Sequence, residues 1–345
     1  MNTTYDCLAL FSSGLDSILA VKTIQAQGLR VLGLHFVSPF FGKPAKILSW
    51  QNLYGVDIIP VDISSDFVRM LVTGPQWSLG KHLNPCVDCK ILMLSRAREM
   101  LPMFQASFLI TGEVLGQRPM SQRRDSLQTI KREAGVGEIL LRPLSALNLD
   151  PTPMEESGLV DRSRLLGLKG RGRKSQLALA REYGLQEIPT PAGGCLLTEP
   201  ESARRFGPLL AHIQNPEVAD FELSVVGRQL WRGDHWLVVG RNQQDNEQLL
   251  KLIQPDDLVF KLANQPGPIA VGRQVNRPWS EEVIHSAAQV LTQFSPRTKA
   301  ADSLVKVLVA SDGQSRDISV WPLSLEGSPW QEPTSGELKE IKKTL

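Results

Sequence analysis

The sequence predicts an α/β fold in which a parallel sheet carries helices on both faces, followed by a smaller C-terminal α+β domain. Short apolar segments alternate with helical patterns along the N-terminal part of the chain, which implies crossover connections and parallel strands. A loop rich in Ser and Gly joins the first of these strands to a helix. Near residue 216 the alternation ends, and segments typical of β-hairpins follow.

The alternation begins with a buried strand at residues 5–11, which the turn sequence SSG ends. A helix opens at Asp16 and Ser17 and ends at Gly28. The same criteria predict strands at residues 30–36, 56–63, 108–111 and 138–142, and helices at residues 46–53 and 89–100. Ligands of such sheets collect at the carboxyl ends of the strands, so we expect the functional site in the loops that follow them.

The second domain begins with the segments FELSVVGRQLW and WLVVGRN, which predict a hairpin closed by RGDH. A polar helix at residues 243–252, the strand DLVFKL, a Pro-Gly turn, a helix at residues 281–292 and the strand LVKVLVA follow. We place the two domains at residues 1–212 and 213–330. Residues 331–345 are polar with Pro and Gly, which is typical of a loose tail.

The composition is that of an ordinary globular protein, with 42% hydrophobic and 21% charged residues and a net charge of +2. A small net charge does not exclude RNA as a partner if the cations are gathered on one face. Four cysteines in 345 residues argue against a disulfide framework. The chain lacks the apolar run of about 18 residues that a membrane span needs, and its N-terminus lacks the pattern of a signal peptide. We expect a cytoplasmic protein without membrane contact. The sequence does not define its oligomeric state.

The loop FSSGLDS, residues 11–17, places small residues and hydroxyls at the start of a helix, where backbone N–H groups favour an anion. No Gly-Lys-Ser/Thr follows, so this is not a Walker loop. The segment resembles the S-G-G-x-D-S loop of ATP pyrophosphatases, with Ser13 where Gly is usual. The resemblance implies the fold of adenine nucleotide alpha hydrolases and ATP with Mg²⁺. The expected ATP contacts are Ser12, Ser13, Gly14, Leu15, Asp16, Ser17, His35 and Gly112.

Three cysteines form a second candidate group. Cys86 and Cys89 lie two residues apart beside a predicted helix, whose N-terminus lowers the pKa of a thiol. Cys195 follows two glycines far along the chain, whereas Cys7 lies in an apolar strand and is expected in the core. A structural zinc site takes four protein ligands. Three thiolates suit a [4Fe-4S] cluster in which one iron has no protein ligand. The alternative is that the three cysteines are reduced thiols without a shared site.

The segment NPCVDC resembles the N-P-x-x-x-C segment of tRNA 2-thiouridine synthases, whose two catalytic cysteines match Cys89 and Cys195. ITGEVLGQRPMSQ and LLRPLSALN are still more similar to 4-thiouridine synthases. The resemblance covers about residues 5–205 and implies a tRNA sulfurtransferase with Asp16, Cys86, Cys89 and Cys195 as catalytic residues. Its sulfur donor would be a cysteine desulfurase or free sulfide. A cluster route and a persulfide route remain open, as does modification at C2 or C4.

Basic segments provide the candidate RNA contacts. RSRLLGLKGRGRK contains six cations and no acid, and its glycines allow the backbone to follow a phosphate chain. WLVVGRNQQDNEQLLKLIQPDDLVFKLANQPGP resembles the RNA-binding domain of the NFACT family. We expect tRNA as the partner and the following contacts: Arg118, Arg123, Arg124, Lys169, Arg171, Arg173, Lys174 and Arg241.

Two other functions are compatible with parts of this pattern. An amide or nitrile ligase acting on a small molecule would use the same ATP loop, and activity without RNA would identify it. A non-catalytic RNA-binding factor of ribosome quality control would use the C-terminal domain, and failure to bind ATP would favour it.

Overall fold

The computed structural model describes residues 4–77, 79–189, 194–299, 301–334 and 336. The chain forms two compact units, Met1–Glu199 and Pro200–Leu345. The helix Pro200–His212 belongs to the second unit, where Phe206 packs against Phe221 with ring centroids 5.9 Å apart. The structure therefore divides the chain before this helix, whereas the sequence placed the boundary after it.

The first unit contains a five-stranded parallel sheet flanked by helices, which confirms the fold class. The strand order is β3-β2-β1-β4-β5. The strands are β1 (Cys7–Leu10), β2 (Val31–Val37), β3 (Asp57–Asp62), β4 (Phe108–Thr111) and β5 (Leu140–Leu141). The helices are α1 (Leu15–Gln25), α2 (Ile47–Tyr54), α3 (Ser64–Thr73), α4 (Cys86–Met100), α5 (Arg124–Glu133), α6 (Pro153–Glu156) and α7 (Lys174–Glu182).

The register of the sheet brings three chain segments to one edge. Leu10 in β1 lies between Leu34 in β2 and Thr111 in β4. Every residue of β1 and β4 is buried, as expected for central strands covered on both faces. The residues that follow these positions are therefore neighbours at the carboxyl edge of the sheet, where α1 begins.

Several elements of the first unit differ from the sequence prediction. Helix α4 begins at Cys86 rather than at residue 89, so both cysteines of the CxxC pair lie in its first turn. Helices α3, α5 and α7 were not predicted. Helix α5 buries only Leu127 and Ile130, an apolar stripe too narrow to stand out in the sequence. Helix α7 begins inside the basic segment, which the sequence presented as an extended, glycine-rich stretch.

The second unit contains a six-stranded antiparallel sheet in the order β11-β10-β8-β9-β7-β6. Helix α11 covers it through a core that includes Ala287, Leu291 and the buried Trp330. The strands are β6 (Arg228–Arg232), β7 (His235–Val239), β8 (Leu258–Leu262), β9 (Ile269–Arg273), β10 (Val305–Ser311) and β11 (Gln314–Val320). The helices are α8 (Pro200–His212), α9 (Val218–Ser224), α10 (Gln243–Lys251), α11 (Glu281–Thr292) and α12 (Pro296–Lys299).

The predicted hairpin is correct only in its second half. The stretch FELS lies in α9, because a capping box between Glu217 and Asp220 starts a helix there. The hairpin strand begins after Gly227, whose positive φ of 63° and close approach to Val239 mark the turn. Strand β11 escaped prediction because it is an edge strand in which only Val320 is buried.

The predicted tail lies largely outside the described residues, which omit 335 and 337–345. Its first residue, Gln331, pairs with Trp231 through two backbone hydrogen bonds of 2.8 and 2.9 Å. No helix in the described part of the chain is long and apolar enough to cross a membrane.

Candidate functional site

The loop between β1 and α1 is closed by short-range hydrogen bonds. The Ser17 hydroxyl donates to the Gly14 carbonyl at 2.8 Å, and the backbone N–H of Ser12 donates to the Ser17 hydroxyl oxygen at 3.3 Å. Ser13 has φ = 58°, the left-handed conformation in which Gly is favoured. The loop thus adopts the glycine conformation with a serine. The N–H groups of Ser17 and Ile18 donate to the Gly14 carbonyl at 3.0 and 3.2 Å, so those of Leu15 and Asp16 are the ones that the first turn of α1 leaves for an anion.

Gly112, which follows β4, lies directly against this loop. A Cβ at position 112 would lie 2.4 Å from the backbone carbon and oxygen of Asp16 and 2.5 Å from the Ser17 nitrogen. Backbone atoms at both positions leave no room for a side chain. The close approach explains the glycine in the motif TGE and fixes the start of α1 against the end of β4.

Asp16 is held by a chain of two amides. Its Oδ2 accepts a hydrogen bond of 2.6 Å from the Gln117 amide, whose oxygen accepts one of 3.0 Å from Gln176. Its Oδ1 is buried and has no hydrogen-bond partner among the described residues. Burial raises the pKa of Asp16, and the hydrogen bond from Gln117 and the charges of Arg173 and Arg118 oppose the rise. One carboxylate oxygen is therefore left for a cation or a donor.

His35 is buried at the end of β2 with both ring nitrogens engaged by the backbone. Its Nδ1 lies 2.9 Å from the Phe11 carbonyl oxygen, and the Lys43 N–H donates to Nε2 at 2.8 Å. Because Nε2 accepts, we assign the proton to Nδ1. Burial lowers the pKa of His35, which favours this neutral form. Both ring nitrogens therefore hold the loop that contains Lys43 beside Phe11, so His35 would influence ATP binding only indirectly.

A buried ion pair joins the motifs TGE and LRPL. Arg142 donates to Glu113 at 2.9 Å, and the Thr111 hydroxyl donates to the same carboxylate at 3.0 Å. Burial alone would raise the pKa of Glu113, but the charges of Arg142 and Lys90 and these hydrogen bonds hold it below its ordinary value. Both motifs stand out in the sequence, but the sequence predicts no function for Glu113, Arg142 or the amide of Gln117.

The segments that contain Cys86, Cys89 and Cys195, hereafter the thiol group, lie in one region of the first unit. The segment with Cys195 is held by backbone hydrogen bonds from Leu83 to Leu197, at 3.3 Å, and from Leu196 to Phe40, at 2.8 Å. The three thiols are close enough for charge on Cys195 and Cys86 to raise the pKa of Cys89, and for charge on Cys86 to raise that of Cys195. Residues 190–193, which include the first of the two glycines before Cys195, lie outside the described residues.

The environment of the thiol group corrects the expectation that a helix start lowers the thiol pKa. Burial raises the pKa of Cys195 to about 12 and also raises that of Cys89. The side-chain amide of Asn84 donates to the Cys86 sulfur at 3.2 Å and to the Met120 sulfur at 3.3 Å. Desolvation therefore outweighs the field of the helix at Cys89.

No group of three or more His, Cys, Asp or Glu side chains within the described ranges is arranged to hold a metal ion. The donor set nevertheless fits a cluster in its chemistry. Cys86, Cys89 and Cys195 are soft thiol ligands that lie near one another, and an iron–sulfur cluster takes such ligands.

The candidate RNA-binding residues fall into three groups. The side chains of Arg123, Arg124 and Arg241 are bonded within the protein, to Asp125 at 3.0 Å, to the Asn148 carbonyl at 2.8 Å and to Asp245 at 2.6 Å. Lys169, Arg171 and Lys174 are exposed. Arg118 and Arg173 lie close enough to Asp16 for their charges to oppose the rise of its pKa that burial causes. The structure thus separates residues that the sequence grouped by charge alone.

Two family models match different parts of the chain. Residues 2–151 match the model of the thiamine biosynthesis protein ThiI. The N-terminal part of the chain is ThiI-like. Residues 227–328 match the NFACT protein RNA binding domain, so the chain combines a ThiI-like segment with an NFACT-type domain. Among curated proteins, none matches the chain significantly.

Three solved structures resemble the chain distantly. The C-terminal part of the fibronectin/fibrinogen-binding protein from Streptococcus suis is 18% identical, with 48% of this chain and 76% of that chain covered and a TM-score of 0.25. A "predicted subunit of tRNA methyltransferase" from Methanocaldococcus jannaschii is 17% identical, with 51% and 76% covered and a TM-score of 0.33. The U34-tRNA thiolase NcsA from Methanococcus maripaludis, solved with its [4Fe-4S] cluster, is 12% identical, with 55% and 61% covered and a TM-score of 0.30. Likenesses of this size carry no functional argument.

Proposed function

We propose that this protein is an ATP-dependent tRNA sulfurtransferase, which adenylates a carbonyl oxygen of a uridine and replaces it with sulfur. One observation carries the proposal. The segment after β4 contacts residues 11–17, hereafter the phosphate loop, through Gly112 and Gln117. The same segment contains Met120, whose sulfur accepts a hydrogen bond from the Asn84 amide, as the Cys86 sulfur does. A single short segment thus contacts the phosphate loop directly and is linked to Cys86 through the Asn84 amide, within a ThiI-like part of the chain.

The first step is adenylation. The N–H groups at the start of α1 and the hydroxyls of Ser12 and Ser17 bind phosphate oxygens of ATP. The free Oδ1 of Asp16 would hold the accompanying Mg²⁺, which prefers carboxylate oxygens and would neutralise charge on the leaving pyrophosphate. The uridine carbonyl oxygen attacks the α-phosphate, and pyrophosphate leaves. The carbonyl oxygen then belongs to a good leaving group, AMP.

The second step replaces AMP by sulfur at the thiol group. Cys86, Cys89 and Cys195 would hold a [4Fe-4S] cluster, which supplies an iron without a protein ligand for an incoming sulfide. The partly buried thiol group limits water near the activated carbon, and the Asn84 amide orients the Cys86 sulfur by its hydrogen bond. In the alternative route, a cysteine desulfurase loads a persulfide onto Cys89, and the outer sulfur attacks the activated carbon and displaces AMP. The Cys195 thiolate then attacks the Cys89 sulfur, which releases the thiouridine and leaves a Cys89–Cys195 disulfide for an external thiol to reduce.

The second unit would bind the tRNA. Its match to an RNA-binding domain supports this role. In the first unit, Lys169, Arg171 and Lys174 are exposed cations that can pair with backbone phosphates. A sulfur donor, either a cysteine desulfurase or free sulfide, completes the reaction.

The test is a reconstituted reaction. Purified protein is incubated anaerobically with tRNA, ATP, Mg²⁺ and sulfide, and the tRNA nucleosides are analysed by mass spectrometry. We expect thiouridine and AMP in equal amounts, with no AMP formed when tRNA is left out. AMP formed without RNA would favour a small-molecule ligase, and failure to bind ATP would favour a non-catalytic RNA-binding factor.

The tRNA-binding role has its own test. Removal of residues 200–345 takes away the whole second unit, including α8 and α9, and leaves the first unit intact. We expect the truncated protein to keep its ATP affinity and to lose most of its tRNA affinity, both measured by titration. Unchanged tRNA affinity would contradict a role for the second unit, and retained ATP binding shows that the first unit is folded.

A further inference from the structure

The phosphate loop lacks any cation of its own. Its sequence, FSSGLDS, contains neither Lys nor Arg and adds the negative charge of Asp16. A nucleoside triphosphate bound there needs positive charge beyond Mg²⁺, because further negative charge develops on the leaving pyrophosphate during the reaction. Other segments of the fold have to supply it.

The start of α7 is fixed beside the phosphate loop. The Gly170 N–H donates to the Leu115 carbonyl at 2.7 Å, and Leu115 and Lys169 form a parallel β-bridge. Gln176, which is 1% exposed, donates to Gln117, and Gln117 donates to Asp16. The Tyr183 hydroxyl donates to Thr23 of α1 at 3.3 Å, so α7 is anchored along its length. The residue before α7 is therefore held near Asp16.

That residue is Arg173, and Arg118 follows Gln117 directly. Arg118 is thus one residue from the amide that donates to Asp16, and Arg173 is three residues before the amide that donates to Gln117. The Nε of Arg173 is buried and has no hydrogen-bond partner among the described residues. Buried N–H donors are nearly always paired, so an orphan at this place points to an acceptor that is bound during function. Arginine presents several donors in one plane, which suits phosphate oxygens.

We propose that Arg118 and Arg173 bind the β- and γ-phosphates of ATP and hold the pyrophosphate as it leaves. The assignment rests on the proposed ATP-dependent function and adds the cations that the loop lacks. Oδ1 of Asp16 would hold Mg²⁺, which would neutralise part of the triphosphate charge. Both arginines belong to segments that are hydrogen-bonded to this carboxylate, directly through Gln117 or by way of Gln176 and Gln117. The basic segment is thereby divided: Arg173 serves the nucleotide, whereas Lys169, Arg171 and Lys174 serve RNA phosphates.

The two sources of phosphate, nucleotide and RNA, are distinguished by titration with inorganic pyrophosphate, ATP and AMP in the presence of Mg²⁺, and with tRNA. The variants are Arg118→Gln and Arg173→Gln. Arg181→Gln, an exposed arginine at the far end of α7, is the matched control. We expect each test variant to weaken pyrophosphate and ATP binding by about tenfold or more, because a charged hydrogen bond is lost. The affinities of both variants for AMP and for tRNA should stay within about twofold of those of the unmodified protein.

Unchanged pyrophosphate affinity together with weaker tRNA binding would overturn the proposal and return both arginines to the RNA surface. An equal loss for AMP and pyrophosphate would also overturn it. Melting temperatures check the fold, and Arg173→Lys, which keeps the charge, should retain part of the affinity. Pyrophosphate binding requires neither tRNA nor sulfur. A protein that binds pyrophosphate through these arginines but never thiolates tRNA would therefore sink the proposed function and leave this assignment standing.

Discussion

The phosphate loop and the thiol group are built in opposite ways. The loop is a run of consecutive residues closed by its own hydrogen bonds, with Ser13 in a left-handed conformation and Gly112 as its tight neighbour. The thiol group joins the first turn of α4 to Cys195, more than a hundred residues away, through backbone bonds of the flanking segments. Local geometry secures the first region, and long-range packing secures the second.

Their electrostatic environments differ as well. At the loop, burial of Asp16 is opposed by the Gln117 hydrogen bond and the arginine charges, and one of its oxygens stays without a partner. At the thiol group, burial dominates and raises the pKa of Cys89 and Cys195. The loop is prepared for a charged ligand, whereas burial favours the neutral thiol form of Cys89 and Cys195. The two regions should therefore be separable by mutation.

The largest expected effect concerns the thiol group. Cys86→Ala, Cys89→Ala and Cys195→Ala should each reduce tRNA thiolation to background, because the cluster route needs all three sulfurs. ATP–pyrophosphate exchange should persist, since the loop is separate. Cys7→Ala, a cysteine in the core of β1, is the control and should keep thiolation. Full activity of Cys86→Ala would favour the two-cysteine persulfide route.

Gly112→Ala should produce the next largest effect and act on the loop alone. Its Cβ would collide with backbone atoms of Asp16 and Ser17, so α1 has to shift, at a cost of about 1–3 kcal/mol. We expect ATP affinity to fall by about tenfold or more, measured by calorimetric titration. Gly137→Ala meets no atom within 4 Å and should bind ATP normally. Equal ATP binding by both variants would contradict the close packing of Gly112.

A third prediction concerns the Glu113–Arg142 pair. Glu113→Gln should cost about 3 kcal/mol of folding stability, because Arg142 would remain charged and buried without its partner. The pKa of Glu113 is lowered in the folded protein, so its contribution is present above its ordinary pKa of 4.5. That contribution is lost as the pH falls through the lowered value. Denaturant unfolding between neutral and acid pH should show a smaller acid loss for the variant than for the unmodified protein.

The smallest effect is expected at Ser13. Ser13→Gly removes the strain of a left-handed serine, about 1 kcal/mol, and adds some unfolded-chain entropy, which offsets part of the gain. We expect a net stabilisation of about 0.5 kcal/mol, visible as a higher melting temperature. Ser13→Ala keeps a Cβ in the strained conformation and should show no gain. A destabilised Ser13→Gly variant would mean that the serine hydroxyl contributes more than the strain costs.

The sequence predicted the elements with strong periodic patterns and missed those without them. The buried strands of the first unit and helix α11 were evident because their apolar residues follow one period. Helix α9 was taken for a strand because FELSVV alternates, and its capping box outweighs that pattern. Helix α7 was hidden in a segment whose charge and glycines dominate its appearance.

The sequence by itself determined the parallel sheet and the loop at the end of β1, because each depends on residues close together in the chain, and it marked three cysteines as candidates by the local context of each. Only the tertiary structure decided that the segment of Cys195 is hydrogen-bonded beside that of Cys86 and Cys89, that Gly112 abuts Asp16, and that the Nε of Arg173 is buried, unlike the exposed cations around it. The physical reason is distance along the chain: hydrogen bonds and burial between remote segments leave no periodic signal at either end.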